Sequence, residues 1–252
     1  MMLNSRFRNR HALISGGGTG IGRAIALALA REGAAVRIVG PKESELAEVS
    51  GNFPDRIRFT VCDIRDEAHW KDVIAAESSL DLMVNNAAIS IATEVFDSEP
   101  NLWEDVFSVN LHGYLNGCRE AARVMKNRGG HIVNISSVLA RLCEQNGTAY
   151  GMAKAAVDQL TRCLAMELAP YGILVNAVAP GFVDTPMSRA NGSNELETEW
   201  FQTNFITSGR IPLRRPARPD EIATAVLFLA NSENTYITGH VLTVDGGMSI
   251  TL

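Results

Sequence analysis

Tyr150 and Lys154 stand four residues apart in Tyr150-Gly151-Met152-Ala153-Lys154, a spacing that puts both side chains on one face of a helix. An ammonium beside a phenol favours the phenolate and lowers its pKa, so the pair could give or take a proton near working pH. Ser137, thirteen residues earlier, ends the run Asn134-Ile135-Ser136-Ser137 with a hydroxyl that could hold a substrate oxygen. Asn110, in Val109-Asn110-Leu111, is polar among apolar neighbours. It either satisfies backbone groups at a helix kink or anchors a water that relays protons to Lys154. Tyr-x-x-x-Lys alone is common in structural helices; its company gives it weight.

A second chemistry lies near the start of the chain, in Ser15-Gly16-Gly17-Gly18-Thr19-Gly20-Ile21-Gly22. Glycines there let backbone approach a pyrophosphate, whose charge a helix N-terminus favours. The spacing is G-x-x-x-G-x-G, on Gly16, Gly20 and Gly22. A tight strand-to-helix turn needs glycine in any case, but a position at the first βα junction favours dinucleotide binding. At the end of the second strand an acid would suit a ribose 2′-hydroxyl and a cation a 2′-phosphate. Val39-Gly40-Pro41-Lys42 offers no acid and one lysine, which leans toward NADP(H) over NAD(H). Lys42 as a solvated loop charge is the competing reading. Cys62-Asp63-Ile64 places a carboxylate to meet an adenine amino group or to cap a turn.

The elements that must position these groups follow from apolar periodicity. Ala12-Leu13-Ile14 leads into the glycines, Ile21–Ala30 reads as an Ala-rich helix ended by Gly33, and Val36–Val39 as a strand. Ile57–Val61, Leu82–Val84, Ile132–Ile135, Leu174–Val178 and Val241–Val244 read as further buried strands. Helices are expected around Ala68–Ala76, Leu102–Met125, Ala149–Ala169 and, after Pro219-Asp220-Glu221, Ile222–Leu229. This alternation predicts an α/β fold: a single doubly wound Rossmann-type domain over residues 1–252, its parallel sheet of about seven strands covered by helices on both faces. Residues 187–215 are polar, carry Trp200, Phe201 and Phe205, and lack strand pattern. They are expected to form an insertion, either a substrate lid or ordinary packing under a surface helix.

Composition excludes little but points one way. The net charge of −5 gives no electrostatic reason to expect nucleic acid or an anionic membrane, and no eighteen-residue apolar run suggests a membrane span. The basic segment Met1–Arg10 lacks the apolar stretch of a secretory signal. Cys62, Cys118, Cys143 and Cys163 never form C-x-x-C, so buried or incidental thiols in a reducing cytoplasm are expected, with no metal.

These motifs, in this order along nearly the whole chain, resemble those of a classical short-chain dehydrogenase/reductase. Gly16, Gly20 and Gly22 match that family's cofactor turn, and Asp63 its adenine-contacting acid. Asn85-Asn86-Ala87-Ala88 resembles its N-N-A-G segment, and Asn110, Ser137, Tyr150 and Lys154 its catalytic tetrad. Pro180-Gly181-Phe182-Val183-Asp184-Thr185 resembles the stretch that flanks nicotinamide, with Thr185 near the carboxamide. The resemblance implies an NAD(P)-dependent oxidoreductase interconverting a secondary alcohol and a ketone. It implies cofactor contacts from Ile21, Lys42, Ile64, Asn86, Ala87, Pro180, Gly181 and Val183, besides the groups above, with Tyr150 and Lys154 serving both cofactor and catalysis. Ala88 and Ser15 depart from the usual glycine and threonine without removing a chemical group. Gly40-Pro41 lacks both the acid and the arginine that sort many members by cofactor.

The loop before Tyr150 mixes Arg141, Glu144, Gln145 and Asn146 with Leu139, Leu142 and Cys143. That suits a small polyol, sugar or hydroxy acid ahead of an acyl-carrier thioester. Relatives that reduce 3-oxoacyl-(acyl-carrier-protein) dock the carrier on basic residues; Arg128 could serve, but Tyr171 stands where a second would help. A non-catalytic nucleotide sensor on this fold would be expected to lose catalytic residues, and an epimerase to be longer. The family further implies a homotetramer, which suits the apolar run through Ala155-Ala156-Val157, Leu160, Leu164, Ala165 and Leu168, with Val241–Leu252 contributing.

Overall fold

In chain order the elements are β1 (His11–Ser15), α1 (Gly20–Arg31), β2 (Ala35–Gly40), α2 (Glu43–Gly51), β3 (Ile57–Val61), α3 (Glu67–Ala75), β4 (Leu82–Asn85) and α4 (Pro100–Phe107). Then come α5 (Gly113–Met125), β5 (Gly130–Ile135), α6 (Thr148–Leu168), β6 (Ile173–Pro180), α7 (Glu199–Phe201), α8 (Pro219–Ala230) and β7 (Val241–Val244). The computed structural model describes residues 6–77, 79–96 and 98–251. Leu252 and the start of the basic amino-terminal segment lie outside them.

The strands form one seven-stranded sheet in the order β3-β2-β1-β4-β5-β6-β7, and every pairing is parallel. The order reverses between β1 and β4. Loops leaving the carboxyl ends of those strands therefore part and open a crevice, where open α/β sheets bind ligands. The buried runs Leu13-Ile14, Met83-Val84 and Ile132-Val133 supply the apolar strands that a sheet covered on both faces requires.

One face is covered by α1, α2 and α8, through Ile25, Leu29, Leu46, Val49, Ile222 and Val226. The other is covered by α3, α5 and α6, through Trp70, Val73, Cys118, Met125 and Ala165. Leu160, Leu164 and Leu168, read above as a partner-facing stripe, pack partly buried on that second core. Met152 and Met166 on α6 stay exposed. Between α4 and α5 the long expected helix is broken by a π turn at Ser108–His112, centred on Asn110, and such turns gather at functional positions. Among the described residues no helix is long and apolar enough to cross a membrane.

Candidate active site

A cavity of roughly 910 Å³ runs along the carboxyl edge of the sheet from the glycine turn to α6, a size suited to a cofactor and a small substrate. Its wall includes Gly16, Gly20, Ile21, Lys42, Asp63, Ile64, Asn86, Ala87, Ser137, Tyr150, Lys154, Pro180, Gly181, Val183 and Thr185. Gly22 and Asn110, also expected at the site, stand behind the wall.

The nucleotide end is a cradle that side chains would fill. Gly16 and Gly20 have φ of +66° and +51°, the left-handed region that glycine adopts without strain. A Cβ on Gly22 would lie 2.2 Å from the Gly16 carbonyl oxygen, so α1 can start this close to the turn only with glycine there. Asn86 pins the turn from β4: its Nδ2 donates to the carbonyls of Ser15 and Gly16 at 3.0 and 3.1 Å. The Ser15 hydroxyl accepts from the Asn86 and Ala87 amides at 2.9 and 3.1 Å. Serine thus does what threonine would do here. The bare turn at the N-terminus of α1 and the room before it fit a dinucleotide pyrophosphate.

At the ribose end both sequence candidates are engaged. Lys42 is exposed and pairs with Glu45 at 3.1 Å. Asp63 pairs with Arg65, which holds its carboxyl below the usual range, first by hydrogen bonding. Arg65 and Glu45 both line the cavity. Sequence reading passed over both, because neither belongs to a motif.

The catalytic end is built from α6 and the tip of β5. Gly147 precedes α6 with no side chain to cap it; the Thr93 hydroxyl accepts from the Ala149 amide instead, at 3.2 Å. Lys154 is 1% exposed, and its Nζ donates to the Ile135 carbonyl at 2.8 Å and to the Tyr114 hydroxyl at 3.1 Å. Nζ lies 5.6 Å from the centre of the Tyr150 ring. Burial pushes Lys154 down to about 7, against the pull of the Asp158 carboxylate. Burial likewise pushes Tyr150 up to about 12, against its hydrogen bond with Ser137 and with Glu144 adding to the rise. Desolvation leads both shifts, so Tyr150 stands above the ordinary phenol value and Lys154 below the ordinary amine value.

Asn110 is fully buried and uses its amide on one residue: Oδ1 accepts from the Ile89 amide at 2.9 Å and Nδ2 donates to the Ile89 carbonyl at 2.8 Å. Both bonds go to backbone groups of the segment that follows β4, which ties the π turn to that segment. Behind the strand tips, Asn85 donates to Asn134 and Asn134 to Thr161, each at 2.9 Å, tying β4, β5 and α6 together.

At the substrate end Glu144 and Glu195 line the cavity with Ile91, Leu139, Phe182, Met187 and Met248. Burial, then the Glu195 charge, raises Glu144 above the usual carboxylate range. Arg141 turns away to the buried Asp158, at 3.7 Å. Phe201 and Phe205 are buried, edge-on to Phe182 at 4.9 and 4.8 Å, while Trp200 stays largely exposed. Phe201 and Phe205 are thus packing that props Phe182, and the insertion presents Met187, Ser188 and Glu195 to the cavity. Cys62 and Cys118 are buried, their thiols pushed up to about 11 and about 12.

A family model described as enoyl-(acyl carrier protein) reductase matches residues 16–249. A 3-oxoacyl-(acyl-carrier-protein) reductase of Chlamydia muridarum is 36% identical over 98% of this chain and 100% of its own. A trans-4-hydroxycyclohexanecarboxylate dehydrogenase of Sinomonas cyclohexanicum is 36% identical over 97% and 95%. The crystal structure of a gluconate 5-dehydrogenase from Burkholderia cenocepacia, in complex with NADP and tartrate, superposes with a TM-score of 0.91 at 32% identity, covering all of both chains.

Proposed function

This chain belongs to the short-chain dehydrogenase/reductase family, and from that premise we propose that it interconverts a secondary alcohol and a ketone on a small neutral polyol or sugar, using NADP(H) in preference to NAD(H). It is an oxidoreductase that acts on CH–OH groups with a nicotinamide cofactor. The observation that carries the reading is one wall: Ser137, Tyr150 and Lys154 face the same cavity that runs back to the glycine turn.

The bound cofactor supplies the hydride acceptor or donor. The Gly16–Gly22 turn and the start of α1 hold its pyrophosphate, and Thr185 lies against Gly20 to close that end. Ser137 holds the substrate oxygen, Tyr150 gives or takes the hydroxyl proton, and Lys154 supplies the charge that favours the phenolate. The 187–215 segment, inside one domain, covers the substrate through Met187 and Glu195.

Glu144 and Glu195 support this choice of substrate. Two carboxylates at that end of the cavity repel an anionic hydroxy acid and offer acceptors to hydroxyl groups, which favours a polyol or sugar. A second reading, reduction of a 3-oxoacyl thioester, draws on the relatives' names. Against it, Arg128 and Tyr171 precede β5 and β6, at the amino edge of the sheet, about 20 Å of strand from the cavity. Lys126 moreover stacks on the Tyr171 ring at 5.5 Å. The enzyme is cytoplasmic and a homotetramer in this reading, and light scattering should return four times the 27.3 kDa chain mass.

The test is a panel of neutral polyols and sugars offered with NADP⁺, and of 3-oxoacyl thioesters offered with NADPH, to the protein and to Tyr150→Phe. Turnover of a polyol that falls at least about 1,000-fold in Tyr150→Phe, with cofactor affinity kept, is the expected result. Turnover confined to thioesters would replace the substrate class. Activity retained in Tyr150→Phe would overturn the assigned acid/base.

A further inference from the structure

We propose that Tyr114 is a positioning residue for the reaction, its hydroxyl and the Ile135 carbonyl together holding the Lys154 ammonium beside Tyr150. This rests on the acid/base roles given above to Tyr150 and Lys154.

Tyr114 lies on α5, one helical turn after Asn110, and is fully buried. Its hydroxyl donates to the Ile135 carbonyl at 3.1 Å and accepts from Lys154 Nζ at 3.1 Å, while Nζ donates to that same carbonyl at 2.8 Å. The three groups form a closed triangle that links α5, β5 and α6. An ammonium has three N–H donors; the triangle takes two and leaves one for whatever enters the cavity. Phenylalanine would satisfy the packing equally well. The hydroxyl is therefore the part of this side chain that needs a reason, and the Ile135 carbonyl already receives Lys154.

The environment of Lys154 has few other polar groups. From α6 come Tyr150 and Asp158, from α5 Tyr114 with Cys118 behind it, and from the end of β5 the Ile135 carbonyl, Ser136 and Ser137. Glu144 acts on Tyr150 from the loop. Asp158 is itself engaged by Ser136 and Arg141. A hydrogen bond to the charged form favours that form. Without the Tyr114 hydroxyl, one ammonium N–H loses its partner in a site too buried for easy hydration. The ammonium is then less favoured, and with it the Tyr150 phenolate.

Tyr114→Phe keeps the ring and removes only the oxygen. In alcohol oxidation, kcat should fall about tenfold with substrate KM changed less than about twofold, and the acid-side limb of the kcat profile should move up by about one pH unit. A second readout needs no turnover. The ε-carbon resonance of Lys154 in carbon-13 lysine-labelled, cofactor-free protein, identified by its loss in Lys154→Met, should titrate at lower pH in Tyr114→Phe than in the unsubstituted protein. Tyr114→Met also lacks the oxygen and packs differently, so it should give the same displacement. A loss of thermal stability with the limb, kcat and Lys154 titration all unmoved would overturn the proposal and leave Tyr114 a core residue. If Tyr150→Phe stays active, the acid/base assignment falls, whereas the Lys154 titration still decides whether Tyr114 governs the lysine.

Discussion

At its nucleotide end the cavity wall is mostly backbone: Gly16 and Gly20 at positive φ, with Gly22 behind them against the Gly16 carbonyl, which Asn86 pins. At its catalytic end the wall is side chain: Lys154, Ser137 and the partly buried Tyr150, with Tyr114 buried behind Lys154 on the Ile135 carbonyl. The first end works by the absence of atoms and the second by charged and polar atoms held out of water. An error at the first end is steric and an error at the second is electrostatic. The two should therefore respond to substitution in different observables.

The largest effect is expected where the contrast is sharpest. In Gly22→Ala the new Cβ would stand 2.2 Å from the Gly16 oxygen and 2.5 Å from Asn86 Nδ2, neither of which is the free end of a flexible chain. The turn must open, and cofactor affinity should fall about 100-fold or more by fluorescence titration, while the far-ultraviolet circular dichroism stays native-like. Unchanged affinity would mean that the pyrophosphate does not sit on this turn.

At the other end, removing a group should help the fold while it harms the reaction. Lys154 is held near 7 in the folded chain and returns toward 10.5 when unfolded. The unfolded chain thus binds more protons between those values, so stability rises with pH across that window and the burden is fullest below pH 7. Lys154→Met should abolish turnover, yet raise stability by on the order of 2–4 kcal/mol at pH 6, with the gain shrinking toward pH 10. Thermal unfolding at the two pH values checks this. A destabilised variant at pH 6 would mean that the triangle with Tyr114 and Ile135 returns more than desolvation takes away.

How much of this was legible follows the same division. The glycine turn is visible in sequence because only one residue type will do, and the buried strands because apolar runs between breakers have few other uses. Ile57–Val61 and Val241–Val244 fall on the observed strands residue for residue. α2 was not expected, since Glu43–Gly51 offers only Leu46 and Val49 to the core and reads as a polar connection. The π turn at Asn110 and the role of Tyr114 were hidden for another reason. A tyrosine four residues after an asparagine in an apolar helix looks like core until its hydroxyl is seen facing a lysine from a different helix. The directions of the Tyr150 and Lys154 shifts were illegible as well, because spacing reports the attraction between two groups and not the water removed from both. Phe201 and Phe205 carried an aromatic signal that could serve cavity or core, and only their packing on Phe182 separates the two.

The smallest effect concerns the boundary between the two regimes, the ribose end, where side chains reappear at the edge of the backbone cradle. Lys42 is exposed and already paired with Glu45, and Arg65 with Asp63, so neither cation is free to meet a 2′-phosphate without giving up a carboxylate. Exchange of one exposed partner for another gains little, on the order of 1 kcal/mol at most. Lys42→Ala should therefore weaken NADPH binding only about two- to fivefold and leave NADH unchanged, with the difference fading at high salt as expected for a solvated charge. Equal weakening of both nucleotides would show Lys42 holding the loop rather than reading the phosphate. No change in either would make it a bystander, and Arg65→Ala would then be the variant that decides between NADP(H) and NAD(H).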